Sequence, residues 1–209
     1  AWKRADLAGA LQRLWWVGAL AVASAFLTLL VAGYHVWPAL GFAAAAWRIC
    51  GAAADSLGRI AAFRRPSQAW NRARGLPRAA WGGAIAHAGV GVMFAGLAGM
   101  GLATDALVAL KPGESTRLAG YEWRLERIRD VQGPNWSARR ATVTVLDGGR
   151  VVTVLEPEKR FFPVGRMNTT EAAIHTNALR DLYAVLGDER DGGGVLRLHH
   201  NPLAPWIWF

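Results

Sequence analysis

Leu14 to Gly33 reads LWWVGALAVASAFLTLLVAG, twenty consecutive residues without a charge. As a helix rising ~1.5 Å per residue, such a run extends ~30 Å, the thickness of a bilayer's hydrocarbon core. This makes the first part of the chain a membrane protein. A second apolar run, about 38–57, follows the short link Tyr34-His35-Val36-Trp37-Pro38. Arg48 sits near its middle, where an arginine costs roughly 2.5 to 3.5 kcal/mol on insertion scales unless it snorkels or meets a partner. The third run, about 79–103, carries no charge and is dense in glycine: Gly82, Gly83, Gly89, Gly91, Gly96, Gly99 and Gly101.

Charge orients these spans. Residues 1–104 hold 10 of the 24 Lys and Arg but only two acids, Asp6 and Asp55, and so carry +8 of the net +9. Arg59, Arg64, Arg65, Arg72, Arg74 and Arg78 fill the loop 58–78 without an acidic residue. By the positive-inside rule this loop is cytoplasmic, and Lys3, Arg4 and Arg13 before the first span agree. A lipid-headgroup or nucleic-acid patch is the alternative reading of the loop. A nucleic-acid binder, however, would spread its basic residues over a polar face, whereas here they punctuate apolar runs. Three crossings place the chain after about residue 104 on the opposite side, the periplasm of a Gram-negative cell. Cys50 is the single cysteine, which excludes a disulfide framework or a thiolate metal cluster. Ala1 in place of an initiator methionine, and the apolar run Pro205 to Phe209, give the expectation of a fragment with a further transmembrane helix starting at 206–209.

Beyond Lys111-Pro112-Gly113 the pattern changes to short alternating segments. Tyr121 to Ile128, Ala141 to Leu146 and Val151 to Leu155 read as strands, with Asp147-Gly148-Gly149 as a hairpin turn. Leu182 to Leu186 and Val195 to His199 add strands around a turn at Asp191 to Gly194. Thr169 to Ile174 is either a short capped helical turn or a loop. The expected fold is therefore a membrane α-helical unit, three transmembrane helices plus the start of a fourth, with a small β-rich extracytoplasmic domain over 105–205, an open barrel or a sandwich. His175, His199 and His200 lack the spacing of a zinc site. No Ser-His-Asp set, phosphate loop or Cys-x-x-Cys-His motif is present.

The chemistry-bearing residue of the spans is His87. Positions four apart in the third run are Gly83, His87, Gly91, Ala95 and Gly99, which places one imidazole on a nearly side-chain-free helix face. Such a face serves either close helix packing or the approach of a flat cofactor, and the residues alone leave both open.

Four ordered blocks resemble the cytochrome c maturation protein F (CcmF) family: Gly133-Pro134-Asn135-Trp136-Ser137-Ala138-Arg139-Arg140-Ala141; Pro157-Glu158-Lys159-Arg160-Phe161-Phe162-Pro163-Val164; Thr169 through Asp188; and Asn201-Pro202-Leu203-Ala204-Pro205-Trp206-Ile207-Trp208. Trp2-Lys3-Arg4 and Ala86-His87-Ala88-Gly89-Val90 look like the family too, so the resemblance covers nearly the whole chain. It implies a multi-pass bacterial inner-membrane component of the cytochrome c haem lyase, supporting reduction and covalent attachment of haem to apocytochrome c, with the β-rich domain in the periplasm. It also implies a membrane-embedded haem b held by two transmembrane histidines. His87 matches one axial ligand of that haem iron, while the other and a tryptophan-rich loop lie upstream of this sequence. The implied partners are the haem chaperone and apocytochrome c, other haem lyase subunits and the lipid bilayer, with no nucleic acid. A non-catalytic membrane scaffold docking the chaperone or apocytochrome is the alternative function. Arg48 departs from the aliphatic residue the family leads one to expect. If the whole glycine stripe is the haem face, Gly91→Leu should obstruct haem.

Overall fold

The computed structural model describes residues 7–190 and 192–208. Trp2, Lys3, Arg4, Asp191 and Phe209, used in the sequence reading, lie outside the described residues. The chain divides into two compact units: Ala1–Leu102 with Trp206–Phe209, and Ala103–Pro205.

The first unit is helical. α1 (Leu7–Ala32) ends at Gly33, whose φ of +80° is the left-handed conformation that stops a helix at little cost. α2 (Val36–Arg59) begins three residues later and accommodates Pro38 in its first turn, where the missing N–H leaves no hydrogen bond unmade. α4 (Arg78–Met100) is the glycine-rich helix. Within the described residues, Leu14–Ala32, Val36–Arg59 and Arg78–Met100 are long and apolar enough to cross a membrane. Their surface agrees with that medium: Val22, Phe26 and Leu30, four residues apart on α1, are 70, 61 and 66% exposed. A row of large apolar side chains turned outward is destabilising in water and matched to lipid.

One local feature differs from the sequence reading. The stretch expected as a basic loop contains a ten-residue helix, α3 (Pro66–Gly75), started by proline at its first position. None of its described residues is buried, so no apolar periodicity announces it. A 3-10 helix, tighter than an α-helix, runs over Ala204–Trp208 where a further span was expected to start.

The second unit is a sandwich of two antiparallel sheets. One has the order β1-β10-β9-β8, built from β1 (Thr104–Leu110), β8 (Ala173–Thr176), β9 (Arg180–Arg190) and β10 (Gly193–Pro202). The other has the order β2-β3-β4-β6-β7, from β2 (Ser115–Leu118), β3 (Tyr121–Gln132), β4 (Ser137–Asp147), β6 (Glu158–Phe162) and β7 (Met167–Glu171); β5 (Arg150–Leu155) pairs with the far end of β4. Between them lies one core containing Trp123, Leu125, Val143 and Val145 from one sheet and Leu182, Leu186, Leu196 and Leu198 from the other, all fully buried. Alternation of these residues along each strand is what turns them to a common face. Gly148 and Gly149, both at positive φ, close the β4–β5 hairpin at Asp147↔Arg150, the turn that Asp-Gly-Gly announces. Thr169 to Ile174 is neither helix nor loop. It belongs to β7 and β8, where Thr169 and Thr170 pair with Arg160 and Lys159, and Ile174 pairs with Tyr183. Its β-branched residues favour that outcome.

Candidate functional site

His87 lies on α4 with its ring exposed. Nδ1 is 2.8 Å from the carbonyl oxygen of Gly83, one turn earlier. A carbonyl only accepts, so Nδ1 carries the proton and donates it; of the two neutral tautomers this bond selects the one whose lone pair is on Nε2. This is the arrangement in which an imidazole serves as a metal ligand: one nitrogen anchored to backbone, the other free to donate. The neighbourhood is open. Among the described residues, a methyl group placed on Gly82, Gly83 or Gly89 would meet no atom within 4 Å beyond its chain neighbours and its own helix backbone.

The stripe does not keep that character along its length. A methyl on Gly91 would sit 2.6 Å from Ile49 Cγ1 and 3.1 Å from the Ala45 carbonyl oxygen, both on α2. One on Gly101 would meet Pro38 Cγ at 2.8 Å, and one on Gly41 would meet Ala98 Cβ at 2.8 Å. On another face, Gly96 admits the backbone of Ile207, whose nitrogen would be 2.7 Å from an added methyl. From Gly91 onward the small residues thus serve close helix packing, as in membrane helix pairs generally. The expectation that Gly91→Leu would obstruct a haem face is corrected: that position faces α2, and a larger side chain there forces the helices apart.

Where the packed half meets the open half, α2 presents Arg48. Its Cβ would be 3.2 Å from a methyl on Gly91, one turn from His87. Arg48 Nε is buried and has no hydrogen-bond partner among the described residues. An unpaired donor within a span is destabilising, and it marks a place where an acceptor from elsewhere would be welcome.

In the sandwich, Arg139, Arg140, Lys159 and Arg160 are each engaged by a carboxylate. Arg139 donates two hydrogen bonds to Glu189, at 2.7 and 2.6 Å, and pairs with Asp130 at 3.0 Å; these bonds raise its pKa further. Lys159 pairs with Asp188 at 2.5 Å. Arg140 and Arg160 grip the two oxygens of Glu158, with Arg160 Nε 2.6 Å from Oε2 and the Arg160 guanidinium 4.4 Å above the Trp136 ring. Burial pushes the Glu158 carboxyl up, but the hydrogen bonds from Arg160 and Arg140 outweigh it and hold the pKa below its usual value. None of these four basic residues is left with a free charge for an outside carboxylate.

One sandwich cluster was missed by sequence reasoning. Arg180, only 8% exposed, donates from Nε to the Tyr121 hydroxyl at 2.7 Å and stacks 4.7 Å over its ring. The His200 ring centroid lies 5.9 Å from that of Tyr121, and burial together with the Arg180 charge lowers the His200 pKa. These residues are 20 to 79 positions apart in sequence; β9–β10 pairing brings Arg180 and His200 to the same end of one sheet, and packing of the two sheets brings Tyr121 of β3 to them. Among the described residues no three His, Cys, Asp or Glu side chains gather as a metal site.

Comparison with known proteins gives a consistent result. Residues 101–202 match the family described as CcmF C-terminal beta-sandwich. The chain is 41% identical over 213 residues to the cytochrome c-type biogenesis protein ccl1 of Rhodobacter capsulatus, a match covering 99% of this chain and 31% of that protein. It is 33% identical over 171 residues to cytochrome c-type biogenesis protein CcmF of Escherichia coli, covering 81% of this chain and 25% of the relative. A solved structure of cytochrome c haem lyase CcmF shares the fold with a TM-score of 0.70 at 20% identity, over 99% of this chain and 33% of that one. The chain spans about a third of the length of these relatives.

Proposed function

The chain belongs to the CcmF family of cytochrome c-type biogenesis proteins, and from that premise we propose that it contributes to a cytochrome c haem lyase in which His87 is an axial ligand to haem b. The observation that carries this reading is the His87 ring itself, with Nδ1 tied to the Gly83 carbonyl and, among the described residues, no other element packed against Gly82, Gly83 or Gly89. The Gly83 hydrogen bond fixes the ring's tautomer and orientation and makes Nε2 a better donor. Bound there, haem b would supply a one-electron couple able to keep incoming haem reduced. Arg48 adds to the reading: its Nε is buried without a hydrogen-bond partner among the described residues, and its Cβ packs beside Gly91, one turn along α4 from His87.

In this reading the spans lie in the bacterial inner membrane, the arginine-rich stretch 58–78 faces the cytoplasm, and the sandwich stands in the periplasm. There it meets the haem chaperone and apocytochrome c beside the other lyase subunits. A second reading, a non-catalytic scaffold that docks the chaperone or apocytochrome, draws on the internal pairing of Arg139, Arg140, Lys159 and Arg160. Haem content separates the two. In the full-length protein, His87→Ala should lower the haem-to-protein ratio in a pyridine haemochrome assay; an unchanged ratio would remove the axial ligand from this account.

A further inference from the structure

Between α1, α2 and the turn into α3 lies a cavity of about 870 Å³, in the upper part of the range of roughly 300 to 1,000 Å³ that small-molecule sites occupy. Its walls are chemically divided. Leu14, Val17, Trp47 and Ala54 give an apolar wall, and Arg59, Arg64 and Arg72 give a basic end. Trp47 and Arg59 are twelve residues apart on the same helix, or ~18 Å along its axis. The apolar wall therefore runs lengthwise beside the span and stops where the arginines begin.

The charges are not balanced within the unit. Asp55 is the acid lining the cavity, and it is held by Arg59 at 2.7 Å. Arg64 and Arg72 form no ion pair or side-chain hydrogen bond among the described residues. Two uncommitted guanidinium groups at the end of an elongated apolar trough complement an amphiphile with an acidic head. Arginine forks match phosphate oxygens, and hydrocarbon matches the trough.

We propose that this cavity is a binding site for an anionic phospholipid of the surrounding bilayer, its phosphate held by Arg64 and Arg72 and one acyl chain laid along α2 past Gly51 towards Trp47. Basic pockets between membrane helices select acidic headgroups by this chemistry. Inorganic phosphate would engage the basic end alone, and a zwitterionic lipid would fill the trough without meeting the charge excess.

The test uses the full-length protein in mild detergent, with native mass spectrometry for retained lipid and thermal melting for added lipid. Phosphatidylglycerol should be retained and should raise the melting temperature, while phosphatidylcholine and inorganic phosphate should each do markedly less. The double substitution Arg64→Gln/Arg72→Gln should weaken retention roughly tenfold or more. Gly51→Leu, at a position where an added Cβ meets nothing within 4 Å, should displace the acyl chain without disturbing the helices. Neither variant should change haem content, which keeps this site separate from His87. Equal retention of phosphatidylcholine, a melting shift reproduced by phosphate alone, insensitivity to Gly51→Leu, or a photocrosslinker at position 64 capturing another protein segment in place of lipid would each overturn the proposal.

Discussion

The two units use arginine in opposite ways. In the sandwich, Arg139, Arg140 and Arg160 each meet a carboxylate, and the buried Glu158 is held from two sides. In the helical unit, Arg48 Nε is buried without a partner among the described residues, and Arg64 and Arg72 line a cavity whose acid, Asp55, is held by Arg59. A carboxylate held from two sides fixes its neighbours, whereas a donor buried without a partner, as Arg48 Nε is, is destabilising until something from outside completes it; Arg64 and Arg72 are exposed. The contrast lies between these particular residues, since Arg180 of the sandwich also has a buried nitrogen, Nη1, without a partner among the described residues, and Arg59 of the helical unit is paired with Asp55.

Breaking the closed side should have the largest effect. Glu158→Ala leaves Arg140 only its longer contact to Glu156 at 3.4 Å and Arg160 only that to Glu171 at 3.8 Å, and the loss expected is about 3 kcal/mol of sandwich stability by chemical denaturation. A loss below the roughly 0.5 kcal/mol typical of surface sites would mean that the pairing is decorative. Next, the glycine helix can be divided by substitution. Gly91→Leu drives a side chain into Ile49 and the Ala45 carbonyl and should cost about 1 to 3 kcal/mol. Gly83→Ala meets nothing within 4 Å and should be neutral or raise stability by up to about 1 kcal/mol through helix propensity. Similar melting temperatures for the two would erase the division between packed and open halves.

Smaller effects sharpen the contrast. Arg48→Leu removes an unpaired buried donor and should raise the melting temperature of haem-free protein, by about 1 kcal/mol or more in stability. A fall would show that Arg48 already has a partner. Acid should loosen the sandwich in two stages. His200 titrates low in the fold because of burial and the nearby Arg180 charge, so its contribution is complete above the ordinary imidazole value of 6.5 and declines as pH falls from there through the lowered value. Glu158, also held low, contributes fully above the usual carboxylate range and loses that contribution as pH falls through its depressed value. Thermal midpoints against pH check this: Glu158→Gln should flatten the lower limb and leave the upper one, which His200→Phe should flatten.

Much of this was legible in the sequence because lipid and sheet each impose a simple code. Uninterrupted apolar runs marked α1 and α4, and alternation around Trp123, Val143 and Leu196 marked central strands. β1, β2 and β6 to β8 were not read, being short or edge elements whose pairing is set by partners distant in sequence. Ten residues of α3 were hidden because no apolar face needed burying. At the site, His87 could be singled out by its glycine neighbours, but periodicity treats all glycines on one face alike. Only the coordinates separate Gly83, which faces open space, from Gly91, which faces α2.

The most direct examination of the open half is ligand replacement at position 87. In full-length His87→Gly protein, low-spin haem absorption should be lost and should return when imidazole is added to the solution, because the void left in the helix face admits a free ring with the same donor nitrogen. Haem absorption that is undiminished by His87→Gly and indifferent to imidazole would contradict the account at its centre.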